Sequence, residues 1–136
     1  MLLLMQTRHD ELLSELVALG ARISAAEHRH LTLIRELGKC TNPLEGTFAE
    51  WIAWRCHMEL KSAYEAIRVA DALEHLPVID KLFAEGRLSY SKVRVVTRYA
   101  DSRTDEVFAG HALLMTVRQL NHLVRQYKKV LPQDAI

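Results

Sequence analysis

Helix breakers are scarce in this chain, with five glycines and three prolines among 136 residues. Long stretches therefore run without a forced interruption, which favours helices. Cysteine is scarcer still: Cys40 and Cys56 are the only two. They have no close partner and no CxxC or Cys/His spacing, which excludes a disulfide framework and gives no zinc signature. Two buried, reduced thiols are the ordinary expectation. Long apolar runs are also missing. Met1-Leu2-Leu3-Leu4-Met5 has no basic residue before it and is too short for a signal-peptide core or a membrane span, so the chain reads as cytoplasmic, with no membrane partner. No charge sign dominates: 18 Lys+Arg against 17 Asp+Glu leave +1. That excludes a uniformly basic nucleic-acid coat and an acidic tail protein.

What is present is the composition of one soluble globular domain, residues 1–136, with 49% apolar and 26% charged side chains. From Thr7 to Leu37 there is no proline and only one glycine. Leu12, Leu16, Leu19, Ile23, Ala26, Leu33 and Leu37 recur there mostly at three- to four-residue steps. They predict a long amphipathic helix (7–37) with a bend at Gly20, its apolar stripe packed on the later helices. Gly38 to Gly46 reads as a loop.

Thr47 with Glu50 three residues on forms a capping box for a second helix, ending near His57. Trp51 and Trp54, three apart, are expected near one face as core or groove anchors. A third helix spans about Leu60 to His75, with Ala63, Ile67, Ala70 and Leu73 as its stripe. Pro77 opens a short fourth helix that stops at Gly86. Ser89 caps a fifth, Tyr90 to Ala100, although Val93 to Val96 is locally β-like. A sixth follows Thr104, and Thr116 with Gln119 repeats the capping box before the last. The expected fold is all-α, six or seven helices: the long helix, a helix-turn-helix-like core (47–103) and a C-terminal helix pair (104–131).

The near-neutral total hides an asymmetry. Residues 1–85 carry nine basic and thirteen acidic side chains, whereas residues 86–131 carry nine basic and three acidic, an excess of six positive charges. Such asymmetry suggests an anionic partner, although cations also suit solvated faces and helix C-termini. The order Phe48–Cys56, a tight connection, and Lys61–Leu76 has helix-turn-helix character, with Phe48, Ile52, Ile67 and Ala70 as the shared core. In that motif the second helix enters the major groove of double-stranded DNA. Lys61, Ser62, Tyr64, Glu65 and Arg68 are the residues placed to face it. Arg68, Lys92, Arg94 and Arg98 are the candidate phosphate contacts, with Arg87 and Arg103 flanking.

Catalytic signatures are absent. There is no nucleophile elbow, phosphate loop, HExxH or metal cluster, so no enzyme activity, metal or cofactor is expected. Glu50, Glu59 and Glu65 read as helix-surface carboxylates rather than acid/base groups. His111 and His122 stand alone without metal-ligand spacing and read as structural. The apolar seam of the first helix leaves open an interaction module without nucleic-acid contact, including a homodimer through that helix.

Three runs carry a resemblance: Trp51-Ile52-Ala53-Trp54-Arg55; the pattern RVA-x-AL-xx-LP from Arg68 to Pro77; and F-x-x-G-x-LS-x-x-KVR from Phe83 to Arg94. With them the chain resembles, over nearly its whole length, the actinobacterial domain of unknown function 222, the thirteen-E-twelve repeat family. The resemblance implies a helical domain that usually precedes an HNH endonuclease domain, with some members linked to mobile elements. This sequence carries no Cys/His-rich nuclease module, so the resemblance implies no catalytic residue here. The order from Leu76-Pro77 through Gly86 to Leu88-Ser89 is also similar to the DNA-binding region of B-type chromosome-partition proteins. The combined expectation is a DNA-binding helical module.

Overall fold

The computed structural model describes residues 1–40 and 47–134, with side chains described as far as Tyr127. The loop expected at Thr41–Gly46 and the side chains of Lys128, Lys129 and Leu131 lie outside the described residues. Seven helices and no strand occur among those described: α1 (Leu2–Cys40), α2 (Phe48–Arg55), α3 (Leu60–Leu73), α4 (Pro77–Ala84), α5 (Tyr90–Val96), α6 (Asp105–Leu114) and α7 (Val117–Asp134). The β-like run Val93–Val96 is helical because Val93 and Val96, three apart, are both fully buried on one side of α5. α5 is shorter than expected and ends before Ala100.

The caps follow the sequence closely. The Thr47 hydroxyl accepts from Glu50 N, and Ser89 does the same for Lys92 N. Thr116 and Gln119 bond each other's backbone amides in both directions. The sixth helix does follow Thr104, whose hydroxyl accepts from Asp101 N and makes no bond to the start of α6.

The centre of the domain is α4, where Ile79 and Phe83 are fully buried and Leu82 nearly so. Its ends are completed by other parts of the chain. Pro77 opens it, needing no amide partner, and the buried Asp105 carboxylate at the start of α6 accepts from Val78 N (2.8 Å) and Ile79 N (3.0 Å). At the other end Gly86 has φ +76°, and the Arg87 and Gly86 amides return to Leu82 and Phe83, a Schellman ending. A Cβ on Gly86 would collide with the Ala21 carbonyl of α1, so glycine also sets how closely α1 and α4 approach.

The same ending closes α2, with Met58 N on Ala53 O, but there the left-handed position is held by His57 at φ 56°. In the helix-turn-helix-like pair, Ile52 and Ala70 are buried while Phe48 and Ile67 are half-buried.

Four expectations are corrected. α1 runs unbroken through Gly20 from Leu2 to Cys40. The stripe expected to pack inward, from Leu12 to Leu37, is exposed throughout. Instead Leu31 and Ile34 are buried, with His28 and Arg35 beside them, because the body touches a different side of the helix. That contact is tied by His28 Nε2 to Asp80 Oδ1 (2.7 Å), Arg35 Nη1 to Ala70 O (2.8 Å) and Lys39 Nζ to Glu74 Oε1 (2.7 Å). Both cysteines are exposed rather than buried, Cys40 on the last turn of α1 and Cys56 at the α2 C-cap. Trp51 is half-buried and stacks on Phe48, but Trp54 is 70% exposed, since Ala49 and Ile52 define the buried side of α2.

Asp105→Ala leaves two α4 amides without a partner and is expected to cost about 2–4 kcal/mol in urea unfolding, with Asp105→Asn recovering part of it. His57→Gly relieves a left-handed non-glycine residue and is expected to stabilise the chain by about 1 kcal/mol in the same measurement.

Candidate nucleic-acid interface

α3 and α5 meet around one carboxylate. Glu65, two turns into α3, is shared by three guanidinium groups: Arg68 on its own helix, and Arg94 (Nε to Oε2 3.1 Å) and Arg98 (Nη2 to Oε2 2.9 Å) on the last turn of α5 and just beyond. Arg68 does a second job. Its Nη2 donates to Arg94 O (3.1 Å), satisfying a carbonyl at the C-terminal end of α5. Arg94 also lies over the Tyr90 ring, 5.8 Å from its centroid.

The Glu65 side chain is 14% exposed, against 36%, 45% and 54% for Arg68, Arg94 and Arg98. The carboxylate is sunk and the cations stand at the rim. Burial alone would push the Glu65 carboxyl up. Hydrogen bonds from Arg68, Arg98 and Arg94, with the charge of Arg68, outweigh it and hold the group at about 2. Burial also keeps the Tyr90 phenol above its ordinary value.

An open concavity of about 450 Å³ sits over this cluster, lined also by Lys61, Tyr64 and Tyr90. Arg94 and Arg98 form its far wall, and the same two residues line a second concavity, of about 510 Å³, between α5 and α7 with Asn121 and Arg125. The two concavities share Arg94 and Arg98 and are together termed the cleft; Lys61, Arg68, Arg94, Arg98 and Arg125 line it, with Glu65 as the acidic member.

Of the ten residues singled out from the sequence, Lys61, Ser62, Tyr64, Glu65, Arg68, Arg94 and Arg98 come together here. Lys92 faces elsewhere, its Nζ donating to Ala112 O (2.8 Å) at the end of α6. Arg103 pairs with Asp101 (3.2 Å) outside the cleft, and Arg87 is exposed beside Gly86, where α4 meets α1. Arg125, Asn121 and Tyr90 were not singled out. The i,i+3 spacing of Glu65 and Arg68 and the i,i+4 spacing of Arg94 and Arg98 are visible in the sequence, but their convergence across about thirty residues of chain has no local signal. Among the described residues no group of three or more His, Cys, Asp or Glu side chains could hold a metal ion, and no helix is long and apolar enough to cross a membrane.

Fold and cleft together define an all-helical domain with an arginine-rich depression and a long, partly bare first helix. Residues 10–135 match the family described as domain of unknown function (DUF222), and the chain belongs to that family. No curated protein and no solved structure matches it.

The Glu65 cluster predicts a pH signature. A carboxyl held below its unfolded value adds stability above about pH 4.5 and loses it as the pH falls towards 2. Glu65→Gln is expected to cost about 1–2 kcal/mol at pH 7, discounted for the exposed guanidinium partners. The gap between wild type and variant should close between pH 4.5 and 2 in urea titrations.

Proposed function

We propose that this domain binds double-stranded DNA through its backbone phosphates, along the cleft formed by α3, α5 and α7. The observation that carries the reading is the shared wall. Arg94 and Arg98 border both concavities, so their guanidinium groups can reach an anionic backbone running across either. Each guanidinium has five N–H donors in a planar fork, and the contacts to Glu65 leave donors free for phosphate oxygens. Lys61 and Tyr64 stand exposed at the start of α3, the second helix of the helix-turn-helix-like pair, and extend the basic surface.

Binding rather than chemistry suits these groups. A carboxyl held at about 2 has no proton to give at neutral pH and is a feeble base. On this reading the domain is the DNA-holding part of a cytoplasmic HNH-endonuclease-associated protein and contributes no nuclease residue. Glu65 serves as an internal counter-ion: it orients the arginine forks before DNA arrives, and its charge opposes the phosphates once DNA is there.

The test is fluorescence anisotropy with duplex DNA at about 50 and 200 mM salt. Affinity should fall steeply between the two. The Arg94→Ala/Arg98→Ala pair should weaken binding on every sequence tried and reduce the salt slope by about two. Glu65→Gln should tighten binding by removing the negative charge. Absence of binding at the lower salt would overturn the reading.

A further inference from the structure

α1 carries two stripes where a helix with a single partner needs one. The first faces the body: Ala21, Ser24, His28, Leu31 and Arg35 are all buried or half-buried. The second lies on the opposite side and extends along the whole helix. Counting in heptads, the a positions are Leu2, His9, Leu16, Ile23, His30 and Leu37. The d positions are Met5, Leu12, Leu19, Ala26 and Leu33. The steps between them alternate three and four without a break over 36 residues, and every one of these side chains is exposed.

A strict seven-residue repeat drifts about 20° per heptad around a straight helix. Over five heptads it is useful only to another helix that coils with it. The body of the domain does not use it, as the exposure of Leu12, Leu16, Leu19 and Ile23 attests.

The flanking charges select the partner. The g positions are Arg8, Glu15, Arg22, Arg29 and Glu36. Two copies set antiparallel, with each a residue opposite a d residue of the other, bring Arg8 to Glu36 and Glu15 to Arg29, each pair occurring twice. Arg22 alone meets its own copy. The core layers are complementary in the same register: His9 meets Leu33, His30 meets Leu12, Ala26 meets Leu16 and Ile23 meets Leu19, while Gly20, beside the core at an e position, meets its own copy.

A parallel pair is worse in its core layers and has fewer opposite-charge pairs. It stacks His9 on His9 and His30 on His30, sets Arg8 against Leu13 and Arg29 against Ile34, and leaves Arg22 with Glu27 as its opposite-charge pair. We infer that α1 is the dimerisation element of this protein, pairing antiparallel with the α1 helix of a second copy through the Leu2–Leu37 seam. The inference stands independently of the reading of the cleft.

Light scattering of the full chain tests the pairing, and cysteine trapping tests its direction. The wild type should be a dimer, whereas Leu16→Asp/Leu19→Asp should be a monomer with unchanged thermal unfolding of the body, since both residues are exposed in the single chain. Glu15→Arg should weaken dimerisation by about tenfold, because the change reverses two pairs, and adding Arg29→Glu should restore it. In a Cys40→Ser/Cys56→Ser background, His9→Cys with Leu33→Cys should form a disulfide-linked dimer, while His9→Cys alone should not. A wild-type monomer at high concentration, or a Leu16→Asp/Leu19→Asp chain that stays dimeric, would overturn the proposal. Crosslinking by His9→Cys alone would overturn the antiparallel direction.

Discussion

A helix of eight residues has as many unpaired end groups as paired ones, and α4 is such a helix placed at the centre of the domain. Its position is possible only because both ends are completed from outside. Asp105, 26 residues away from Ile79, sends a buried carboxylate onto the first amides, and Gly86 closes the last turn in a conformation that side chains resist. Around this small cylinder α1, α3, α5 and α6 are arranged, and Phe83 fills the space between them. The polar interaction at Asp105 thus governs an apolar core: without it Ile79 and Phe83 would lie on a helix with uncapped, buried amides.

The same logic of completion from afar recurs where α3 meets α5. Arg68 satisfies the end of α5, Lys92 satisfies the end of α6, and Glu65 gathers the guanidinium groups that remain. Short helices need caps, and in this chain basic side chains supply several of them at C-terminal ends. Part of the positive charge of residues 86–131 is therefore structural. Of the rest, Arg94, Arg98 and Arg125 line the cleft, whereas Arg87, Arg103 and Arg118 are exposed elsewhere.

The local devices were legible in the sequence, because a cap or a turn is decided by residues three or four apart. Thr47, Ser89, Thr116 with Gln119, Pro77 and Gly86 all act where their residue types place them. The all-helical class and a count of six or seven helices follow from the same signals. Sequence and structure part where a choice depends on partners far along the chain. The stripe from Leu12 to Leu37 has helical period and apolar character, but nothing in it says which side meets the body; a second stripe containing His28 and Arg35 looks polar and is the one that packs. Val93–Val96 favours a strand locally, yet burial of Val93 and Val96 on one side of a short helix overrides that preference. Of the candidate site, the members on one helix were readable. The sinking of Glu65 beneath two arginines from another helix was not, nor was the diversion of Lys92 to a carbonyl.

The close approach of Gly86 to Ala21 has a mechanical consequence. From about residue 21 onward α1 is clamped to the body by Leu31, Ile34 and three polar ties, whereas the segment before it stands free. At about 1.5 Å per residue, that free segment reaches roughly 30 Å. A helix held at one end and loaded at the other is a cantilever, and its pivot is the place where the Gly86 backbone rests against the Ala21 carbonyl. Any pull on the tip is delivered to the C-terminal end of α4, the element on which the rest of the core is built.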